Sequence, residues 1–317
     1  MRKFLRGAAI FLAPVLAALL LMEIFLRAIP NDYSYKKAQL LKDADNIRIL
    51  VLGSSHALHG VNPDYFSLDG FNLANTSQSL DLDYEMLKKY GAELGGLKYV
   101  VVSVSYFSMF ARMEGGSEEW RLKNYILYYG LDVGGAAWSP SNRFEILNGT
   151  MLQKVQRAYR YLFKRASLLE VTAKGYMPNA AVAQSLEKTG AEAASRHTNP
   201  DTGMFARNKE VVEEIISWCE ERRVELIFVT LPAHRAYSGK LDRSQWEATV
   251  SYMESLAGSH GRVRYYNLLE DGRFTDGCFY DADHLNDKGA EKLTRFLDGV
   301  IMGMEGPAGP RTQRPKG

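Results

Sequence analysis

Four short apolar segments, spread along the chain, constrain the fold more than any other feature of this sequence. Each is predicted to form a buried strand, and they read NIRILVLGSS from Asn46, LKYVVVSVS from Leu97, RVELIFVTLP from Arg223 and RVRYYNLL from Arg262. Amphipathic helices are predicted from about Leu80 to Glu93, around Trp246 to Leu256, and after Asn286, which can cap the last one. Short strands that alternate with such helices are typical of a parallel sheet. We therefore predict an α/β fold with a doubly wound parallel sheet.

The N-terminus contains a segment that suits a membrane. Three basic residues among the first six precede an apolar run from Gly7 to Leu26, which only Glu23 interrupts. About 20 helical residues span roughly 30 Å of hydrocarbon, and a positively charged flank stays on the cytoplasmic side. We predict one transmembrane helix over residues 1–28, an uncleaved anchor that places the rest of the chain outside the cytoplasm. A cleaved signal peptide and a cytoplasmic helix are the alternatives.

Residues from about 111 to 206 interrupt the alternation of strands and helices. They contain helical patterns, from Phe144 to Leu162 above all, so we predict a mostly helical insertion within a domain of residues 29–303. Between Met151 and Gly175, six Lys and Arg residues stand against one acidic residue. That segment is either a solvated helix face or a surface for anionic lipid or an acidic polymer. Residues 304–317, rich in Gly and Pro, are predicted to be disordered.

The overall composition excludes several classes of protein. A net charge of +2, from 39 basic and 37 acidic residues, argues against general nucleic-acid binding. A mean hydropathy of −0.24 excludes a polytopic membrane protein. The two cysteines, Cys219 and Cys278, belong to no metal-binding motif, and their pairing is left open. We expect neither a metal nor another cofactor.

Two segments at opposite ends of the α/β pattern carry groups suited to nucleophilic catalysis. VLGSSHALHG delivers Ser55 to the carboxyl end of the first strand, and FYDADHLNDKGA places Asp281 and His284 before the last helix. Active sites of open parallel sheets gather at these strand ends. Nucleophilic hydrolysis needs a hydroxyl, an imidazole that activates it and a carboxylate that orients the imidazole. Asp283 is an alternative carboxylate, and only one of the two is expected to face the imidazole.

Taken together, these two segments resemble the first and last blocks of the SGNH (GDSL) hydrolase superfamily. The similarity runs from about Asn46 to Gly303, with Gly53-Ser54-Ser55 on the first block. The resemblance implies an SGNH-hydrolase-like, flavodoxin-like three-layer fold. It also implies that Ser55 is the nucleophile, His284 the general base and Asp281 the orienting carboxylate. Ser54 stands where Asp is frequent in the family.

The middle blocks of the superfamily are less regular in this sequence. FNLANTSQS resembles the second block, which implies that the backbone N–H of Ser77 donates to the oxyanion, although glycine is usual there. The third block normally reads GxND, but the matching stretch here begins at Ser105 and lacks the asparagine. An oxyanion hole needs donors about 2.7–3.1 Å from the developing charge. We expect the N–H groups of Ser55 and Ser77 as two donors, and Asn75 and Ser105 are candidates for the third.

Several departures from the usual pattern are similar to the cell-envelope branch of the superfamily. They are the anchor, GSS in place of GDS, the absent GxND and a strand that ends in TLPAHRAY. The branch includes the teichoic acid D-alanine transfer proteins and the alginate O-acetyltransferases, which commonly work beside a multispanning membrane acyltransferase. The resemblance implies a bacterial, extracytoplasmic O-acyltransferase, chiefly for acetyl groups, whose partners are such a membrane protein and a cell-envelope glycan or acylated polymer. The alternatives are an esterase or deacetylase, a lipid-active esterase with an acyl pocket near Tyr125 to Tyr129, and a catalytically silent protein that binds a glycan or a partner.

The remaining histidines have weaker indications of function. His56 lies next to the nucleophile and is expected to bond within the loop or to contact substrate, rather than to bind metal with His59. His234 follows a strand and is expected to face the same crevice and contact substrate, with a structural role as the alternative. His197 and His260 lie in polar stretches and are expected to be solvated.

Overall fold

The computed structural model describes residues 1–164, 168–180, 185–199 and 201–305. In chain order its helices are α1 (Arg2–Ala28), α2 (Asp32–Lys42), α3 (Ser55–Gly60), α4 (Leu80–Tyr90), α5 (Leu122–Asn124), α6 (Pro140–Arg143), α7 (Met151–Leu162), α8 (Leu186–His197), α9 (Thr202–Glu221), α10 (Arg235–Ser238), α11 (Arg243–Ser259) and α12 (Asp287–Glu305). Its strands are β1 (Ile49–Leu52), β2 (Gly70–Asn72), β3 (Tyr99–Ser103), β4 (Glu225–Thr230) and β5 (Val263–Asn267). The predicted disordered tail lies outside the described residues from 306 onward, whereas residues 304 and 305 extend α12.

The chain divides into two compact units. One contains Met1–Lys42 and Met113–Val171, and the other contains Asp43–Arg112 and Thr172–Gly317. This division differs from the predicted one. The first part of the predicted insertion belongs with the N-terminal helix, and its last part, residues 172–206, belongs with the sheet.

The unit with the sheet has the predicted α/β fold. Its five strands are all parallel, in the order β2-β1-β3-β4-β5. The four predicted strands are present, and every residue of β1 and β3 is buried, which explains their continuous apolar runs. The sequence did not indicate β2, because an edge strand of three residues is too short for a periodic pattern. Asn286 caps α12 as predicted, since its Oδ1 accepts hydrogen bonds from the N–H groups of Lys288 and Gly289, both at 3.1 Å.

The strand order defines where a site can form. From β1 the chain passes to β2 on one side and then to β3 on the other side. The carboxyl ends of β1 and β3 therefore flank a topological switch point, where open parallel sheets bind their ligands.

The other unit is formed by α1 and α2 with the helices and turns of residues 113–171. Helix α1 is long and apolar enough to cross a membrane, with a mean hydropathy of 2.5, although a signal sequence passes the same test. Its buried Glu23 accepts hydrogen bonds from the N–H groups of Glu145 (3.0 Å) and Ile146 (2.9 Å) and from Arg27 Nε (2.6 Å). The acidic residue that interrupts the apolar run is therefore part of the folded unit.

Helix α7 and the two cysteines refine what the sequence indicates. The helical pattern predicted from Phe144 becomes a helix only at Met151, because Thr150 forms a capping box with Gln153. The two cysteines, whose pairing the sequence left open, are both free and buried.

Candidate active site

The turn after β1 presents Ser55 at the switch point. Gly53 has φ +128°, and a Cβ at this position would lie 1.9 Å from Ser103 Oγ on β3, so only glycine fits. Ser54 is buried and caps α3, because its side chain accepts a hydrogen bond from the N–H of His56 at 3.4 Å. Ser55, the first residue of α3, stays partly exposed. The local structure thus separates a structural serine from an accessible one.

His284 links Ser55 to Asp281 in one row of hydrogen bonds. The Oγ of Ser55 lies 2.8 Å from His284 Nε2, and His284 Nδ1 lies 2.9 and 3.1 Å from the two carboxylate oxygens of Asp281. Oδ1 of Asp281 also accepts the backbone N–H groups of Asp283 (3.1 Å) and His284 (2.8 Å), which fixes the carboxylate on its turn. The structure therefore brings the three predicted catalytic residues together, although they are up to 229 residues apart in the chain.

The surroundings of His284 favour its protonated form. Burial opposes the charge, but the hydrogen bond to Asp281 and the nearby carboxylates outweigh it, so the pKa of His284 is raised above its usual value. An imidazole with a raised pKa is a stronger base in its neutral form. In that form Nδ1 carries the proton that faces Asp281, and Ser55 lies at the unprotonated Nε2.

A second carboxylate also faces His284, contrary to expectation. Oδ1 of Asp283 lies 3.5 Å from His284 Nδ1, so Asp281 and Asp283 converge on the same nitrogen. Asp283 is deeply buried, and burial alone raises a carboxyl pKa; the hydrogen bond from His56 and the charge of His284 instead hold the pKa of Asp283 well below its usual value. Both carboxylates face the same nitrogen because the turn from Asp281 to His284 folds around the ring.

His56 connects Asp283 to Ser105 in a second row. His56 Nε2 lies 3.5 Å from Asp283 Oδ2, and His56 Nδ1 lies 2.8 Å from Ser105 Oγ. Burial lowers the pKa of His56, so the ring is neutral and carries one proton. The carboxylate places that proton on Nε2, and Nδ1 then accepts the hydrogen of the Ser105 hydroxyl.

This second row changes the roles predicted for both residues. The Ser105 hydroxyl is directed to His56, and its backbone N–H donates to Ser108 Oγ at 2.9 Å. Ser105 in this arrangement does not supply the third oxyanion donor. His56 is buried and hydrogen-bonded inside the site, which agrees with its bonding role and not with a direct contact to substrate.

The loop after β2 carries the other predicted oxyanion residues. Ser77 has φ +59°, the left-handed conformation that explains why glycine is usual at this position. The amide of Asn75 donates to the carbonyl of Leu73 (3.1 Å) and to Gln78 Oε1 (2.7 Å), so both of its hydrogens brace the loop and neither serves an oxyanion. Gln78 in turn donates to Asp83, whose pKa burial raises to about 8.

The ring of His234 makes the contacts expected of the structural alternative. Its Nδ1 accepts the N–H of Ala236 at 3.2 Å and thereby caps α10, and its Nε2 lies 3.3 Å from Asp276 Oδ1. Both ring nitrogens are therefore engaged, and no contact of His234 with the triad residues is observed within the described part of the chain.

His197, expected to be solvated, lies instead against the site. Its ring is 4.3 Å from the ring of Phe107 and 6.1 Å from that of His56, and Nδ1 lies 3.0 Å from the hydroxyl of Tyr237. Burial lowers the pKa of His197 to about 3. A signal was present in the sequence: His197 follows the buried Ala193 and Ala194 at helical spacing, so it shares their face.

His59 also borders the triad. Its Nδ1 donates to the carbonyl of Met177 at 2.9 Å, and its ring centre is 5.6 Å from that of His284. Burial and the neighbouring charge of His284 lower the pKa of His59 to about 4, so it is a neutral ring beside the base.

Three of these side chains could also hold a metal ion. His56, Asp283 and His284 each offer a ligand atom, and these atoms lie within 4.8 Å of one another. Both nitrogens of His284 already bond to Ser55 and Asp281. A metal ion bound to His284 would therefore displace one of the hydrogen bonds that link Ser55, His284 and Asp281.

Comparisons with known proteins give distant structural neighbours. No family model and no curated protein match the sequence. Similar solved structures include a provisionally assigned acylhydrolase from Bacteroides fragilis, 10% identical with a TM-score of 0.43, over 84% of this chain and 94% of that one. A GDSL-like lipase from Bacteroides thetaiotaomicron is 10% identical with a TM-score of 0.40, over 86% of this chain and 100% of that one. A family 2 carbohydrate esterase from Corynascus thermopiles is 9% identical with a TM-score of 0.39, over 83% of this chain and 68% of that one. Likenesses this distant establish no activity for this chain.

Proposed function

We propose that this protein transfers acyl groups through an acyl ester of Ser55. The observation that carries the proposal is the unbroken row from Ser55 Oγ through His284 to Asp281, at distances of 2.8 and 2.9 Å. A hydroxyl, a base of raised pKa and an orienting carboxylate are the parts that nucleophilic acyl chemistry requires.

The mechanism follows from the position of each group. Ser55 Oγ attacks the acyl carbonyl while its proton passes to His284 Nε2. The tetrahedral oxyanion is held by the backbone N–H groups of Ser55 and Ser77. Collapse of the intermediate breaks the bond to the donor's oxygen, which takes the proton from His284, and Ser55 keeps the acyl group. An acceptor hydroxyl then gives its proton to His284 and attacks the acyl carbonyl. The bond to Ser55 Oγ breaks, Ser55 takes that proton from His284, and Asp281 holds the ring throughout.

The acceptor that we propose is a hydroxyl of a cell-envelope polysaccharide or related polymer. Two features support a transferase. One is the apolar helix α1, which suits an extracytoplasmic enzyme at the membrane. The other is the loss of the usual third-block asparagine, where this chain has Phe107. The acyl donor in this proposal is presented by a multispanning membrane acyltransferase. If water is the acceptor, the same intermediate makes the protein an esterase.

The test uses the full-length protein in lipid nanodiscs with p-nitrophenyl acetate as an activated donor. Intact mass and nitrophenol release are measured for the wild type, Ser55→Ala and His284→Ala. We expect an acetyl adduct that is absent in Ser55→Ala, and transfer to added oligosaccharides. Hydrolysis alone with every acceptor would make the protein an esterase, and identical behaviour of all three forms would favour a silent binding protein.

A further inference from the structure

Helix α7 has an apolar face that nothing in the described chain covers. No residue of α7 is buried, and the large apolar side chains along one side of it and just beyond its end are between 52% and 72% exposed. These side chains are Met151, Leu152, Val155, Tyr159, Leu162 and Phe163. They follow the spacing that puts them on a single side of a helix. The surface helix of a soluble protein normally packs such a face against the core. The apolar face of α7 is therefore expected to pack against something other than the described chain.

The charge of the same segment is entirely positive. Residues 151–164 contain four Lys and Arg residues and no Asp or Glu. Arg160 lies on the side of the helix away from the apolar face, and Lys164 follows two residues after the end of the helix. An apolar side combined with a basic side is typical of helices that lie in the surface layer of a membrane with anionic lipids.

The position of α7 also points to lipid. Nη2 of Arg157 donates to the carbonyl of Ile29 at 3.1 Å, and the rings of Tyr161 and Phe25 are 6.4 Å apart. These contacts hold α7 beside the end of α1, the helix that suits a membrane span. If α1 crosses a membrane, a helix fixed at its end lies at the level of the lipid headgroups.

An exposed aromatic side chain in the same unit fits this level. Trp138 is 80% exposed, and the guanidinium of Arg143 lies 5.4 Å from its ring centre. Tryptophan is enriched at membrane–water interfaces, where its ring sits among the headgroups.

We propose that α7 lies in the surface layer of the membrane that α1 spans, with its apolar face among the acyl chains and its basic residues on anionic headgroups. The proposal rests on the membrane placement of α1 in the proposed function, and not on the chemistry of Ser55. A partner protein would also cover an apolar face, but the uniformly positive charge and the contact with the end of α1 favour a lipid surface.

The test places a fluorophore on single cysteines of the full-length protein with Cys219 and Cys278 replaced by serine. The protein is reconstituted into phosphatidylcholine vesicles with and without phosphatidylglycerol. Quenching is measured with lipids brominated near the headgroup end of their chains for positions 155 and 160, and near the methyl end for position 16. The labelled variants are Val155→Cys on the apolar face, Arg160→Cys on the opposite side as its matched control, and Leu16→Cys within α1. We expect bromolipids to remove most of the fluorescence at 155 in the anionic vesicles and little at 160.

The outcomes separate this proposal from the proposed function. Quenching at 16 with none at 155 would overturn the placement of α7 while α1 still inserts, and would leave a protein partner as the occupant. No quenching at 16 would overturn both membrane placements, whereas turnover of p-nitrophenyl acetate by the same sample reports separately on Ser55. The double variant Arg160→Gln with Lys164→Gln should reduce the quenching at 155 in anionic vesicles only. Equal quenching in vesicles with and without phosphatidylglycerol would overturn the proposed contact between the basic residues and anionic headgroups.

Discussion

Nδ1 of His284 lies 3.5 Å from Oδ1 of Asp283, although Asp281 already holds the same nitrogen at 2.9 Å. The base of the proposed triad therefore has two carboxylates, one that bonds it directly and a buried one that it shares with His56. This arrangement gives different predictions for the two acidic residues.

Replacement of Asp283 should alter the pH dependence of activity more than its maximum. The base must be neutral, so activity rises with pH through the pKa of His284, which is raised above its usual value. Asp283→Asn removes one of the charges that raise this pKa, and we expect the acidic limb of kcat/KM against pH to move to lower pH, with a change of less than about tenfold on the plateau. Asp281→Asn, the comparison variant, should instead lower kcat by about 10⁴-fold, because the ring loses its orienting partner. An unmoved limb in Asp283→Asn would show that this carboxylate has no electrostatic role.

The two serines after Gly53 should behave differently. Ser55→Ala removes the proposed nucleophile and should lower turnover of p-nitrophenyl acetate by about 10⁴- to 10⁶-fold. The neighbouring Ser54→Ala removes only a helix cap, and we expect a loss of about 1 kcal/mol in stability with turnover largely kept. Steady-state kinetics and thermal melts of both variants check this, and comparable losses of turnover would count against Ser55 as the single nucleophile.

The left-handed backbone of Ser77 predicts a stabilising substitution within the site. Ser77→Gly removes the steric cost of φ +59° and should stabilise the protein by about 1 kcal/mol. Because the proposed oxyanion donor is the backbone N–H, we expect turnover to remain within about tenfold of the wild type. Arg223→Gly is the matched control, since Arg223 has φ +58° just before β4. A large loss of turnover in Ser77→Gly alone would assign the oxyanion contact to the side chain.

Metal removal should leave the proposed activity intact. A metal on His56, Asp283 and His284 would compete with the hydrogen bonds of His284 to Ser55 and Asp281. We therefore expect unchanged turnover after dialysis against EDTA, and inhibition rather than activation by added Zn²⁺. Activity that EDTA abolishes and Zn²⁺ restores would replace the serine mechanism with a metal-dependent one.

Asp83 should make the stability of the sheet unit depend on pH. Burial raises its pKa from 3.8 to about 8, so the folded state binds this proton more tightly than the unfolded state does. Its contribution to stability is greatest below pH 3.8 and is lost as the pH rises towards 8. We expect Asp83→Asn, which keeps a neutral side chain, to flatten the fall in urea midpoint between pH 5 and 8. An equal fall in both proteins would assign the effect to other groups.

The sequence predicted the features that depend on residues close together in the chain. The runs from Asn46 and Leu97 became β1 and β3 because strands buried on both sides are continuously apolar, and the spacing of Asp281 and His284 fits one turn. Asn286 capped α12 for a similarly local reason.

The features that the sequence did not predict depend on distant parts of the chain. The bond between Ser105 and His56 joins residues 49 positions apart, and His197 reaches the site only because α8 packs its alanine face inward. Within the first unit, Glu23 bonds the backbone 122 residues further on. The periodic patterns of a sequence do not indicate contacts between residues that are this far apart in the chain.

The hydrogen bonds of Glu23 have a practical consequence for processing and truncation. A protease that cut after α1, or an engineered soluble form that began at Asn31, would leave the N–H groups of Glu145 and Ile146 without their carboxylate acceptor. Unmet buried hydrogen bonds of this kind cost about 1–3 kcal/mol each. Forms that start before Glu23 keep this acceptor and should therefore be more stable than forms that start after it, so α1 contributes hydrogen bonds to its folded unit whatever else its apolar surface does.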